Sequence, residues 1–195
     1  MARLGKFTVV AALAMLGFAS TSRAAIFQYQ AFLDGPSESP ANASPGTGFA
    51  TVDYDNVAHT LAISVNFSGL IGTTTASHIH GATAAALTGT AGVATTTPTF
   101  AGFPSGVTAG SYSNVLDLTL ASSYNPSYIT ANGGTTASAE LALTNAIAAG
   151  KTYWNIHSSV FGGGEIRGFL VPVPEPASIG LLGLGAMAVL VRRRR

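Results

Sequence analysis

Residues 51–67 read TVDYDNVAHTLAISVNF: two short runs of β-branched, aromatic and small residues, with Asp55 and Asn56 at a turn between them. This is the pattern of a β-hairpin. Runs of the same texture predict strands at Ile26–Leu33, Gly48–Asp53, Thr60–Phe67, Ala76–His80, Gly92–Thr96, Ser113–Leu120, Thr152–His157 and Glu165–Val171. Turn-rich stretches such as DGPSESPANASPGTG and FGGG divide them. Two pieces break the pattern. SSYNPSYITAN suits a short helical turn, and AELALTNAIAAGK has the apolar spacing of a helix that stops at Gly150. The expectation is an all-β domain, a two-sheet Greek-key sandwich with one or two short helices. No internal repeat is evident.

Both ends stand apart from this body. Arg3 and Lys6 precede an apolar run of thirteen residues, Phe7–Ala19, and Ser22-Arg23-Ala24 supplies small residues for cleavage between Ala24 and Ala25. Residues 1–24 therefore read as a secretory signal peptide. At the other end a Pro-rich hinge, Val173-Pro174-Glu175-Pro176, leads into an uncharged run at 177–191 and then Arg192, Arg193, Arg194 and Arg195. Fifteen helical residues cover about 22 Å against roughly 30 Å of hydrocarbon. Gly180, Gly183 and Gly185 weaken the run further as a helix. A poor permanent anchor behind a polar hinge has the logic of a processing tag that inserts transiently, its arginines held on the cytoplasmic side. Hinge, short span and arginine cluster together resemble the PEP-CTERM sorting signal of Gram-negative bacteria, over residues 172–195. That resemblance implies recognition by an exosortase-type membrane protease. It also implies a destination in the cell envelope, at the cell surface or in an extracellular matrix, with exopolysaccharide or other envelope components as candidate partners.

Without its ends the chain changes sign. The body carries seven acidic residues and two basic ones, Lys151 and Arg167, a net charge of −5 where the whole chain is +1. Two bases cannot neutralise a run of phosphates, so nucleic acid is excluded as a partner. Cysteine is absent. Packing must then supply the stability that disulfides give many exported domains, and thiol catalysis and cysteine-based zinc sites are ruled out.

The chemistry-bearing residues follow from strand alternation. In SHIH, His78 and His80 share one face and Ile79 takes the other. In TYWNIH, Trp154 and Ile156 oppose Asn155 and His157; in EIRGFL, Ile166 and Leu170 oppose Glu165 and Arg167. If the isoleucines mark the core, His78, His80, His157, Glu165 and Arg167 all leave it on the opposite side. Where their strands are neighbours, His78, His80, His157 and Glu165 form a candidate site for a single zinc or copper ion. The competing expectation is a hydrogen-bonded polar network with no cofactor, in which Glu165 pairs with Arg167 or a histidine. His59 reads as an exposed turn residue. Glu165 with Asp117 is a conceivable hydrolase pair whose separation nothing in the sequence fixes. Gly162, Gly163 and Gly164 suit a tight turn rather than a phosphate loop.

Three of these elements carry a second resemblance. ASHIHG, AAGKTYWNIHSS and GGGEIRGFL resemble, in order, the A-H-I-H-G, A-G-x-x-Y-x-N-I-H-T and G-G-E-I-R-G elements of CHRD domains, with Ser158 where the family usually has Thr. The resemblance runs over residues 26–171 and implies a β-sandwich of extracellular proteins with no established reaction. The reading is a signal peptide (1–24), a CHRD-like domain (25–171) and a sorting segment (172–195). The whole is a non-catalytic envelope or matrix protein. The alternatives are a single-metal binding domain and a carbohydrate-binding module, the latter requiring exposed Tyr or Trp on one sheet.

Overall fold

The computed structural model describes residues 25–174. The expected signal peptide and the sorting motif from Glu175 onward lie outside the described residues. In chain order the strands are β1 (Ile26–Asp34), β2 (Thr47–Asp55), β3 (Thr60–Ser68), β4 (Thr74–His80), β5 (Gly110–Asp117), β6 (Tyr153–Ser158), β7 (Ile166–Phe169) and β8 (Val171–Pro172). Between β5 and β6 lie two helices, α1 (Pro126–Ala131) and α2 (Thr136–Ala148). No helix among the described residues is long and apolar enough to cross a membrane.

Eight strands form one antiparallel hydrogen-bonded system in the order β4-β6-β7-β1-β2-β3-β5, with β8 also on β1. The fold is all-β, as expected, but the two halves of the predicted sandwich share one continuous ladder. Their junction is thin: β1 and β7 are paired only through Asp34 and Arg167. The sheet therefore curls there, and β4-β6-β7 faces β1-β2-β3-β5 across one core. Alternate residues feed that core from both sides: Leu33, Val52, Leu61 and Ile63 from one half, Ile79, Trp154, Ile156 and Ile166 from the other. Phe100 bridges them, its ring 5.4 Å from Trp154 and 5.9 Å from Tyr112.

The helices close one side of the core. Asn125 caps α1, accepting from the Ser127 amide, with Pro126 at the first helical position where its missing N–H costs nothing. Thr135 and Ser138 cap α2 reciprocally. Ala139, Leu143 and Ile147 of α2 are buried, and the chain leaves through Gly150 at φ 65°, a conformation that suits glycine. The buried Glu140 ties α2 to the sheet. Its carboxylate accepts from the Tyr54 hydroxyl at 2.8 Å and lies 2.9 Å from Nδ1 of His59. His59 is thus a half-exposed helix anchor, not a free turn residue.

One predicted strand is absent. Residues 92–96 run along the free edge of β4 but meet it through one isolated bridge, His80 with Val93, and a few backbone bonds such as the Ala94 amide to Ile79 O at 3.0 Å. Side chains take over part of the ladder: Thr95 Oγ1 accepts from the Ile79 amide at 3.0 Å and Thr99 Oγ1 from the Ser77 amide at 2.9 Å. The carbonyls of Ala91 and Pro98, which flank this stretch, turn toward the histidines of β4.

Candidate functional site on the covered polar face

β4, β6 and β7 are neighbours, so the side chains opposite their isoleucines meet. The register sets His78 beside Asn155 and Asn155 beside Arg167, one row across three strands. The next row is His80, Tyr153 and Phe169, and His157 sits opposite Ala76 on the other side. This face is not open to solvent. The segment after β4 and the loop between β1 and β2 lie over it, and His78, His80, Asn155 and Arg167 are all buried. His157, half-buried, forms its accessible edge.

Each histidine is pinned by one ring nitrogen to a backbone carbonyl. Nε2 of His78 bonds Pro98 O at 2.5 Å, Nδ1 of His80 bonds Ala91 O at 2.9 Å, and Nδ1 of His157 bonds Gly162 O at 3.0 Å. A carbonyl oxygen only accepts, so each of these nitrogens carries the hydrogen. The remaining nitrogens are then bare acceptors. Nδ1 of His78 and Nε2 of His157 face each other at 3.4 Å, and Nε2 of His80 is buried with no hydrogen-bond partner. One ring nitrogen from each of the three lies within 4.8 Å of the others. Burial lowers the pKa of all three rings, that of His80 to about 4. The carbonyl at Ala91 opposes that shift, while His78, His157 and Arg167 add to it. At neutral pH the face therefore presents three neutral imidazoles with tautomers fixed by the backbone.

Glu165 is not among them. Its carboxylate accepts from Ser44 Oγ at 2.6 Å and from the Ile71 and Gly72 amides at 2.5 and 3.1 Å. It pairs with neither Arg167 nor a histidine, and the nitrogens that converge exclude it. The reason is local: β7 begins at Ile166, so Glu165 precedes the strand and the alternation used to place it does not apply. Desolvation pushes its pKa up. The Ser158 and Ser44 hydroxyls and the two amides outweigh that and hold it below the ordinary value. Asp117, the other half of the conceivable hydrolase pair, accepts from Thr119 at 2.6 Å.

The acid nearest the polar face is Glu38, which no local signal in its Ser- and Pro-rich loop marks. It is buried, with Oε2 3.9 Å from Nε of Arg167 and Oε1 unpartnered. Desolvation raises its pKa to about 7 against the pull of Arg167. Arg167 donates to the Ser37 and Gly89 carbonyls and lies 4.7 Å from the centre of the Tyr153 ring, which stacks on His80 at 4.8 Å. Gly164, at φ 136°, makes this closeness possible: a Cβ there would stand 2.5 Å from Asn155 Oδ1 and 2.6 Å from Glu38 Oε1. Beside it a cleft of about 390 Å³, lined in part by Glu38, Asn42, Phe161 and Gly163, opens to the surface.

Comparison with known proteins agrees with this frame. No curated protein and no solved structure matches the chain. The PEP-CTERM protein-sorting motif matches residues 172–195, which implies an exported protein recognised by exosortase, a membrane protease. The CHRD domain matches residues 29–170, from the first core strand to the buried Leu170, and takes in the whole polar face with the loops that cover it. The chain belongs to the CHRD domain family, with a PEP-CTERM motif following directly at its C-terminal end.

Proposed function

We propose that this protein is a non-catalytic binding module of the cell envelope or extracellular matrix, carried there by its sorting segment. The observation that carries the reading is the way the domain meets that segment. The family match ends at residue 170 and the motif begins at 172, inside β8, which is still paired to β1 through Tyr29 and Gln30. The Val173 amide donates to Gln28 O at 2.9 Å, so the tail leaves at the Ile26 end of β1. The row of Arg167, Asn155 and His78 lies level with Asp34, the other end of that strand, about 20 Å from Gln28 at 3.3 Å per residue. A domain held by its tail therefore presents the histidines outward. The engagement of Glu165 with Ser44 and two amides leaves it poorly placed for proton transfer, which supports binding rather than hydrolysis.

Deleting Ile179–Arg195 in the producing cell tests this. The protein should lose its envelope or matrix fraction and appear free in the medium or periplasm, with an unchanged β-type circular dichroism spectrum. Intact mass of the native mature protein should show both ends removed. A truncated protein that still reaches the same fraction, or a mature form that retains the arginines, contradicts the proposal.

A further inference from the structure

We propose that His78, His80 and His157 hold one zinc- or copper-class ion, His78 through Nδ1 and the other two through Nε2. The inference is independent of where the protein is displayed and rests on four observations. The first is donor convergence: one nitrogen of each ring lies within 4.8 Å of the others. The second is the spacing of the tightest pair. Two nitrogens bound tetrahedrally at about 2.0–2.1 Å from one zinc stand about 3.4 Å apart. Nδ1 of His78 and Nε2 of His157 stand 3.4 Å apart.

The third observation is that the outer shell is complete. A histidine ligand ordinarily donates its other N–H to a carbonyl or carboxylate, which fixes ring and tautomer. Here Pro98, Ala91 and Gly162 supply those carbonyls to all three rings. The fourth is an otherwise unexplained cost. Two ring lone pairs face each other at 3.4 Å and a third nitrogen, on His80, is buried without a partner. Turning any one ring to its other tautomer sets a lone pair against a carbonyl oxygen. Placing an extra proton between His78 and His157 makes a buried imidazolium. A cation relieves both conflicts together.

The donor set also limits the ion. Three neutral imidazoles with no carboxylate or thiolate suit zinc or copper, and not calcium or magnesium, which take oxygen ligands. Arg167, the fixed positive charge of this face, is engaged by the Ser37 and Gly89 carbonyls and by the Tyr153 ring. His157, the least buried of the three, is the edge of the cluster nearest solvent. Three protein donors leave a coordination position for water or an external ligand.

The test uses the full chain, purified without a metal-affinity tag and stripped with chelator, titrated with Zn²⁺ and with Cu²⁺ at neutral pH. The expected result is one ion per chain, copper bound more tightly than zinc. His80→Ala and His157→Ala should each weaken binding by more than the roughly 10–100-fold that loss of an outer-shell partner costs. His59→Ala should leave it unchanged, because His59 belongs to the Glu140 anchor. X-ray absorption of the loaded wild type needs no variant and should show three imidazole nitrogens at about 2.0–2.1 Å. No stoichiometric binding of either ion, His80→Ala and His157→Ala binding as tightly as wild type, or an absorption spectrum without three imidazoles would each overturn the site.

Discussion

The two halves of the curled sheet share one core but treat their outer faces in opposite ways. Outside β1-β2-β3-β5 the side chains, among them Gln28, Thr51, Ser64, Asn66 and Ser113 beside the apolar Phe32, Phe49 and Val115, are half-buried or exposed. They are interchangeable surface residues of the kind that an antiparallel sheet with one wet face requires. Outside β4-β6-β7 the polar residues are larger and titratable, and two loops bury them. Burying polar groups is expensive unless each is bonded, and here His80, Asn155 and Glu38 each keep an unpartnered atom. The first face is what folding leaves over. The second is maintained against its cost, as the proposed binding site there requires. Substitutions on the two faces, and on the core between them, should separate accordingly.

The largest effect belongs to the core side of the covered half. Trp154 is 0 % exposed, packs on Phe100 and donates from Nε1 to Ser77 Oγ at 2.7 Å. Trp154→Ala should cost about 3–5 kcal/mol. Chemical denaturation of the exported domain reads this directly, and a loss below 1 kcal/mol would mean that the two halves do not share a core.

Next comes the hinge of the covered face. At Gly164 any side chain is strained by the backbone angle and is driven into Asn155 and Glu38. The backbone term alone is about 1–3 kcal/mol. Gly164→Ala should therefore lower the unfolding midpoint, whereas Gly163→Ala, whose Cβ would meet nothing within 4 Å, should not. Equal effects at the two positions would show that the turn tolerates side chains and that the close approach at Gly164 is incidental.

Much of this was legible in the sequence, but unevenly. Alternation around Ile79, Ile156 and Ile166 put Trp154 inside and the three histidines together on one face, because period 2 is a local property of each strand. Adjacency was not legible. It depends on β6 lying between β4 and β7, a pairing between residues some 80 positions apart such as His78 and Asn155. Glu165 failed because one residue decides whether alternation holds, and the strand starts just after it. Residues 92–96 looked like a strand by composition and do run beside β4. Their Thr hydroxyls replaced ladder bonds, and nearby carbonyls at Ala91 and Pro98 went to the histidines instead. Glu38 was invisible: its partners Asn155 and Arg167 come from distant strands, and its own loop reads only as a turn.

A smaller effect, graded by pH, tests that missed residue. Glu38 has a folded pKa of about 7, against about 4.5 when exposed. Between those values the native state holds a proton that the unfolded state has released, so its contribution to stability falls as pH rises. The slope reaches at most about 1.4 kcal/mol per pH unit. The histidines act in the opposite sense, since burial lowers their values and the unfolded state then binds the extra protons. Comparison with Glu38→Gln isolates the carboxyl. The variant should gain stability relative to wild type from pH 5 to 7.5 in metal-free buffer. Parallel profiles would show that Glu38 ionises freely and that the covered face is wetter than its burial implies.

The smallest effect should come from the open face, at a residue that looks more conspicuous than any of these. Phe32 is 71 % exposed and leans on Phe49 across the strand pair, ring centres 4.9 Å apart. Its ring covers little of the core, because the neighbours that point inward, Ala31 and Leu33, already fill that side of β1. What Phe32→Ser removes is one cross-strand pair on a solvated face, worth about 0.2–1 kcal/mol. The substitution should shift the denaturation midpoint by an amount near the error of the measurement and leave zinc and copper titrations unaltered. A loss approaching that of Trp154→Ala would mean that this face is also covered in solution, by a partner or a second copy of the chain. The contrast between an open and a maintained face would then fail.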